Sequence, residues 1–181
     1  NRGNRHDEAL VEIDHLLTRD PSSQNLQNMR AVVLGKLGDF DAAITTYEGV
    51  LAKLPQQWQV WLGYGHALKT ANRSNDAITA YRRALAINPS FGGAWWSLAN
   101  LKTMRFDAAD IAAMQAQLQR QELDDDARLH IEFALGKAQE DAGANAEAFT
   151  HYARGNALRR QQLPYDAELM HARTQRAIAT Y

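Results

Sequence analysis

The residues of this sequence that could do chemistry are six histidines, four tryptophans and a scatter of carboxylates and hydroxyls, with no cysteine, over 181 positions. A metal site needs His or carboxylate ligands at short, helix-compatible spacing. His6, His15, His66, His130, His151 and His171 contain no His-x-x-x-His pair and no other close metal spacing. Asp124-Asp125-Asp126 could be read as a metal cluster. Consecutive Asp at a helix start more often satisfies free N–H groups and the helix dipole, so a cap is the favoured reading. No Gly-x-Ser-x-Gly elbow is present. The lack of Cys removes a thiolate nucleophile, a disulfide framework and Cys-ligated zinc or iron–sulfur chemistry. No catalytic, metal-binding or cofactor-binding residue is assigned. Trp58, Trp61, Trp95 and Trp96 invite a stacking role, which their register has to decide.

The composition narrows the partners. Twenty basic residues against 21 acidic ones leave a net charge of −1, whereas nucleic-acid binders and polybasic membrane modules carry a basic excess. No apolar run approaches the roughly 18–20 residues of a membrane-spanning helix. The start Asn1-Arg2-Gly3-Asn4-Arg5-His6 is polar, without a signal-peptide apolar core. The expectation is a cytoplasmic chain that binds neither nucleic acid nor membrane. The missing initiator Met predicts a processed or truncated form. Thirty-one alanines and few Val and Ile predict an all-α protein.

The elements that must position these residues repeat. Pro21, Pro55 and Pro89 are spaced by 34 residues, as are Ala9, Ala43 and Ala77. Ile13, Tyr47 and Tyr81 keep the register, and so do Leu16, Val50 and Ala84. This pattern resembles the tetratricopeptide repeat, a helix pair with an early aromatic and a small residue in helix A, small and aromatic residues in helix B, and a closing Pro. Trp61, Tyr64-Gly65, Ala77, Tyr81, Ala84 and Pro89 follow it best. The resemblance implies an α-solenoid of antiparallel pairs, in which small residues permit close approach and stacking supplies the core. The expected layout is a half repeat (helix B only) over 5–21, repeats at 24–57 and 58–91, a degenerate repeat at 92–128, a repeat at 129–163, and a capping or linking helix over 166–180 with Asp166 as its N-cap. The fourth match falls 37 residues after the third, so three extra residues are expected near 121–126. Trp61 and Trp95 fall at the family's core position, and Trp96 points to another face.

Residues 91–181 also resemble bacterial tetratricopeptide-repeat sulfotransferases. The likeness rests on Gly93-Ala94-Trp95-Trp96-Ser97-Leu98-Ala99-Asn100-Leu101-Lys102, Arg105-Phe106, Phe133-Ala134-Leu135-Gly136-Lys137 and His151-Tyr152-Ala153-Arg154-Gly155. It implies a sulfotransferase domain downstream that would bind 3′-phosphoadenosine 5′-phosphosulfate through a phosphate-cradling loop. No such loop occurs here, and Gly92-Gly93 is read as a helix-start turn, so the expectation for this chain is no catalysis and no cofactor.

The resemblance also implies a concave groove lined by the A helices. Its register assigns Asn28, Met29, Val32 and Lys36 from the first, Leu62, His66 and Lys69 from the second, and Trp96, Asn100 and Thr103 from the third. His66 is then a groove residue rather than a proton-transfer group. Asn28, Val32, Gly63, Gly93 and Ser97 depart from the carboxylate clamp of the chaperone-binding subclass, which disfavours that ligand. The expected function is a non-catalytic scaffold for a protein or peptide, with a stand-alone adaptor or a homodimer through exposed array ends as the alternative.

Overall fold

The computed structural model describes residues 2–162 and 167–179, and all regular structure among them is α-helical. In chain order the helices are α1 (Arg2–Arg19), α2 (Gln24–Leu37), α3 (Phe40–Lys53), α4 (Trp58–Thr70), α5 (Ser74–Ile87), α6 (Gly92–Ala99), α7 (Ala108–Leu118), α8 (Asp125–Asp141), α9 (Asn145–Gln162) and α10 (Ala167–Ala179). The expected N-cap Asp166 and the Pro164-Tyr165 break lie outside the described residues.

Three helix pairs are built alike: α2 with α3, α4 with α5, and α8 with α9. Each pair turns through one residue in the left-handed region, Gly38 (φ 89°), Asn72 (φ 61°) and Gly143 (φ 77°). At each turn the next amide closes the helix on a carbonyl five residues back: Asp39 to Leu34 at 3.0 Å, Arg73 to Leu68 at 2.8 Å, and Ala144 to Gln139 at 2.9 Å. This is the Schellman closure, which satisfies end carbonyls while reversing the chain. Below the turn of α4–α5 and of α8–α9, an aromatic of helix B lies on a glycine of helix A. A Cβ on Gly65 would sit 2.4 Å from the Tyr81 ring, and one on Gly136 2.6 Å from the Tyr152 ring. Ala43, Ala77, Tyr81 and Ala84 are wholly buried, so the small-aromatic register read from the sequence is the core.

Neighbouring pairs are tied by polar contacts that also keep the period. Arg30 Nε donates to Asp14 at 2.7 Å, and one repeat on Tyr64 Oη donates to Glu48 at 2.8 Å. Trp61 Nε1 donates to the Pro55 carbonyl and Trp95 Nε1 to the Pro89 carbonyl, both at 2.9 Å. Each indole thereby clamps the connection that precedes its own helix. Trp95 is buried as expected, but Trp61 is only partly so, because its ring edge also forms the wall of an open hollow.

The third unit departs from this plan. Its helix A, α6, is only eight residues long. At its end the Asn100 side-chain amide donates to the Trp96 carbonyl (2.9 Å), which also accepts the Asn100 backbone amide at 3.1 Å. The residue at the turn position is Phe106, which has no left-handed conformation and packs instead on Trp95, ring centroids 6.0 Å apart. Consequently α7 packs on α8 rather than pairing with α6, and α6 packs on α5 and directly on α8. Gly92 makes this possible, since a Cβ there would lie 2.4 Å from the Ala127 carbonyl oxygen. The displaced α7 is held at its N-terminus. Asp107 and Asp110 form a reciprocal capping box, and the buried Asp110 carboxylate takes both guanidinium arms of Arg82, Nη2 to Oδ2 at 2.7 Å. Arg82 occupies the register of Asp14 and Glu48, but the matching partner position ahead of it is Leu98, so its charge turns to α7 instead.

The Asp run behaves as a cap. Asp124 Oδ1 accepts the Ala127 amide at 2.7 Å, while Asp125 and Asp126 lie in the first turn of α8. Among the described residues no group of His, Asp and Glu is arranged to hold a metal ion. No described helix is long and apolar enough to cross a membrane.

Candidate functional site

The A helices α2 and α4 form the walls of a cavity of about 350 Å³. Ala31, Val32, Gly35 and Lys36 line one side and Gly63, His66, Ala67 and Thr70 the other, with Tyr47 and Phe40 at the floor and end. Val32 is 40% exposed although it is aliphatic, so apolar surface stays open to a ligand here. His66 Nδ1 faces Tyr81 Oη at 3.0 Å. Burial pushes the Tyr81 hydroxyl up to about 12. Desolvation, and secondarily the charge of Lys69, hold His66 below its ordinary value. The His66–Tyr81 pair presents an anchored hydrogen-bonding surface at the cavity wall. Gly63 lets the Tyr47 ring pack closely on α4, because a Cβ there would meet the Tyr47 hydroxyl at 2.7 Å.

A second cavity, of about 410 Å³, lies beside α6 and is lined by Trp96, Ala99, Asn100, Leu101, Lys102, Arg105, Lys137 and Tyr152. Trp96 is half-buried and rests on Phe133, centroids 5.5 Å apart, which in turn meets Tyr152 at 6.2 Å. Burial, then the hydrogen bond from its hydroxyl to Glu140 (2.9 Å), push Tyr152 up to about 12.

The ten groove residues therefore divide. Val32, Lys36 and His66 meet in the first cavity, and Trp96 and Asn100 in the second. Leu62 lies between α4 and α6, with its Cδ2 3.9 Å from the place a Cβ on Gly93 would take. Met29 and Lys69 are exposed outside both cavities. Asn28 lines a separate polar hollow with Gln24, Asn25 and Gln57. Thr103 is not on a helix A at all: α6 ends at Ala99, and Thr103 is an exposed residue of the 100–107 connection. The register extrapolated a full helix there, whereas α6 ends at Ala99.

Sequence reasoning missed Lys102, Arg105, Lys137 and Tyr152 as one group, since they come from a loop and two further helices. It also missed a hollow of about 450 Å³ where Trp61 and Tyr64 meet Glu48 and Asp76. The usable signal was the failed register after Asn100. It missed as well the pairing of His151 Nδ1 with the buried Glu132 carboxylate at 2.6 Å, which joins α9 to α8.

The architecture is that of an α-solenoid built from antiparallel helix pairs. The sequence model of the tetratricopeptide-repeat family matches residues 28–90 and again 65–101. The chain is 36% identical over 86 residues to a peroxisomal targeting signal receptor of Saccharomyces cerevisiae, covering 48% of this chain and 14% of the receptor. It is 39% identical over 61 residues to the receptor of that name from Eremothecium gossypii, covering 34% and 11%. The matched part is thus a small fraction of those relatives' length. Two solved structures share the fold over most of the chain. MamA superposes with a TM-score of 0.65 at 17% identity, covering 88% of this chain and 92% of MamA. A thermophilic tetratricopeptide-repeat protein of Thermus thermophilus superposes with a TM-score of 0.61 at 20% identity, covering 97% and 92%.

Proposed function

We propose that this chain is a non-catalytic scaffold that holds an extended protein or peptide segment along α2, α4 and α6. The observation that carries this reading is the cavity between α2 and α4, where open aliphatic surface at Val32 meets the polar tips of Lys36 and His66. Such a surface takes a peptide side chain while nearby amides and the His–Tyr pair orient it. Partial similarity to proteins named as receptors of a targeting signal supports a peptide as the ligand class. The test is partner capture from the source organism by the immobilised chain, compared with two variants, Val32→Glu with His66→Glu, and Trp96→Ala with Asn100→Ala. Loss of specific partners at unchanged helicity is expected. Capture that neither variant weakens would overturn the groove.

We propose further that the full-length protein is a cytoplasmic sulfotransferase whose acceptor this array helps present. The support is the likeness of residues 91–181 to the repeat region of that enzyme group, and 3′-phosphoadenosine 5′-phosphosulfate would bind only in the downstream domain. The reading frame after Tyr181 tests it, and a frame without a Pro-Arg-Ser-Gly-like loop would sink the idea. Exposed apolar side chains near the two ends, Val11 at 71% and Phe149 at 73%, favour the alternative of a self-associating adaptor. Comparing the solution mass of this chain with that of the full-length protein separates the two.

A further inference from the structure

The interruption of the third repeat gathers three cations around one hollow. Because α6 stops at Ala99, the 100–107 connection carries Lys102 and Arg105 over the face of α8 that bears Lys137. The three cations line one hollow with the Trp96 and Tyr152 rings. Two carboxylates stand near them, and both are engaged. Asp141, only 15% exposed, accepts from Arg105 Nη1 at 3.2 Å and from Lys137 Nζ. Glu140 accepts the Tyr152 hydroxyl and lies 3.8 Å from Lys137 Nζ. Lys102 is left without an ion pair or hydrogen bond among the described residues, at the mouth of the hollow. Three cations against two carboxylates make a local positive site on a chain of net charge −1.

We infer that this hollow is a docking site for an acidic stretch of a partner peptide, with a Glu or Asp carboxylate on Lys102 and Arg105 and a neighbouring apolar side chain against Trp96. The inference rests on the peptide-scaffold reading and adds the chemistry of the peptide. Charge complementarity selects the acid, because Lys102 has no ion-pair partner among the described residues and Asp141 holds Arg105 and Lys137 in place behind it. The aromatic wall selects a peptide over a free anion, because inorganic phosphate would leave Trp96 and Tyr152 uncovered. Unlike the cavity between α2 and α4, this site exists only because the repeat is broken.

The experiment uses the 181-residue chain and two fluorescein-labelled peptides, one of alternating Glu and Leu and its twin with Gln at every Glu. Fluorescence anisotropy is expected to show roughly tenfold tighter binding of the Glu peptide, weakening as salt is added. Lys102→Glu removes that preference at an unchanged melting temperature, since the side chain is exposed and makes no contact that folding requires. Arg105→Gln weakens the Glu peptide in the same direction. Equal affinity for the two peptides, indifference to Lys102→Glu, or displacement of the peptide by inorganic phosphate at similar concentration would each overturn the assignment. The variant Val32→Glu with His66→Glu keeps the two readings apart. If it abolishes partner capture while the Glu peptide shows no preference, only the acidic site falls. If the Glu peptide binds as expected while capture is insensitive to Val32→Glu with His66→Glu, the cavity between α2 and α4 falls and the acidic site stands.

Discussion

Residues 24–91 and residues 92–162 are built from the same kind of helix pair, and they differ in what holds the pairs together. In the first region the chain reverses at Gly38 and Asn72, and apolar contacts of Tyr47, Tyr81 and the alanines fill the interfaces. In the second, the turn residue is missing at Phe106, α7 is displaced, and polar pairs are added to an apolar core of Leu98, Met114, Ile131 and Leu135: Arg82 with Asp110, Arg105 and Lys137 with Asp141, and the His151–Glu132 hydrogen bond. Apolar packing is non-directional and tolerates exact repetition. An ion pair or a capping box is directional and specifies one arrangement of one helix, which is what a broken repeat requires. The break therefore costs the array regularity and produces a hollow with its own charge.

The comparison breaks first at the core. Tyr81→Ala removes a fully buried ring that covers Gly65 and anchors His66, and is expected to cost about 3–5 kcal/mol in chemical denaturation. Hydrogen exchange should show the loss centred on α4 and α5. Protection that falls equally across α8 and α9 would mean the two regions fold as one unit.

A smaller effect separates the close approaches. Gly92→Ala places a methyl group 2.4 Å from the Ala127 carbonyl oxygen, a backbone atom that cannot yield, and should destabilise by about 1–3 kcal/mol. Gly49→Ala, inside α3 with nothing within 4 Å, should stabilise by roughly 0.5–1 kcal/mol. Thermal melts of both variants check the opposite signs.

Asp110→Ala removes the bidentate partner of Arg82 and half of a capping box, with an expected cost of about 2 kcal/mol. Amides of α7 should lose protection while those of α2 and α3 keep theirs. If α7 stays protected, its position is set by apolar contacts and not by the ion pair.

The smallest effect concerns pH. The folded state holds His66 below its ordinary value of 6.5, so the unfolded chain binds the proton more readily. The stabilisation is complete above the unfolded value and is lost as pH falls below it. His66→Gln, compared with the parent chain across that interval, should flatten this share of the decline in melting temperature. An identical decline in the two proteins would remove His66 from the account.

Much of this was legible beforehand. The 34-residue spacing located the alanines and tyrosines that turn out to be wholly buried, and the Asp run named the cap of α8. The candidate site was legible in part. Val32, Lys36 and His66 share one cavity because the first two A helices obey the period. Thr103 failed because a register carries no information about where a helix stops, and α6 ends at Ala99. Trp61 was read as core on the same register, yet its edge faces an open hollow shared with Tyr64.

The sequence by itself determined the helical class, the pairing of residues 24–91 and the small-aromatic core, because these follow from local periodicity and side-chain volume. Only the tertiary structure decided that α6 packs on α8, that Arg82 turns to Asp110, and that Lys102, Arg105 and Lys137 share a hollow. Those contacts join residues from different units, and their geometry depends on where each chain reversal points, which no linear spacing records.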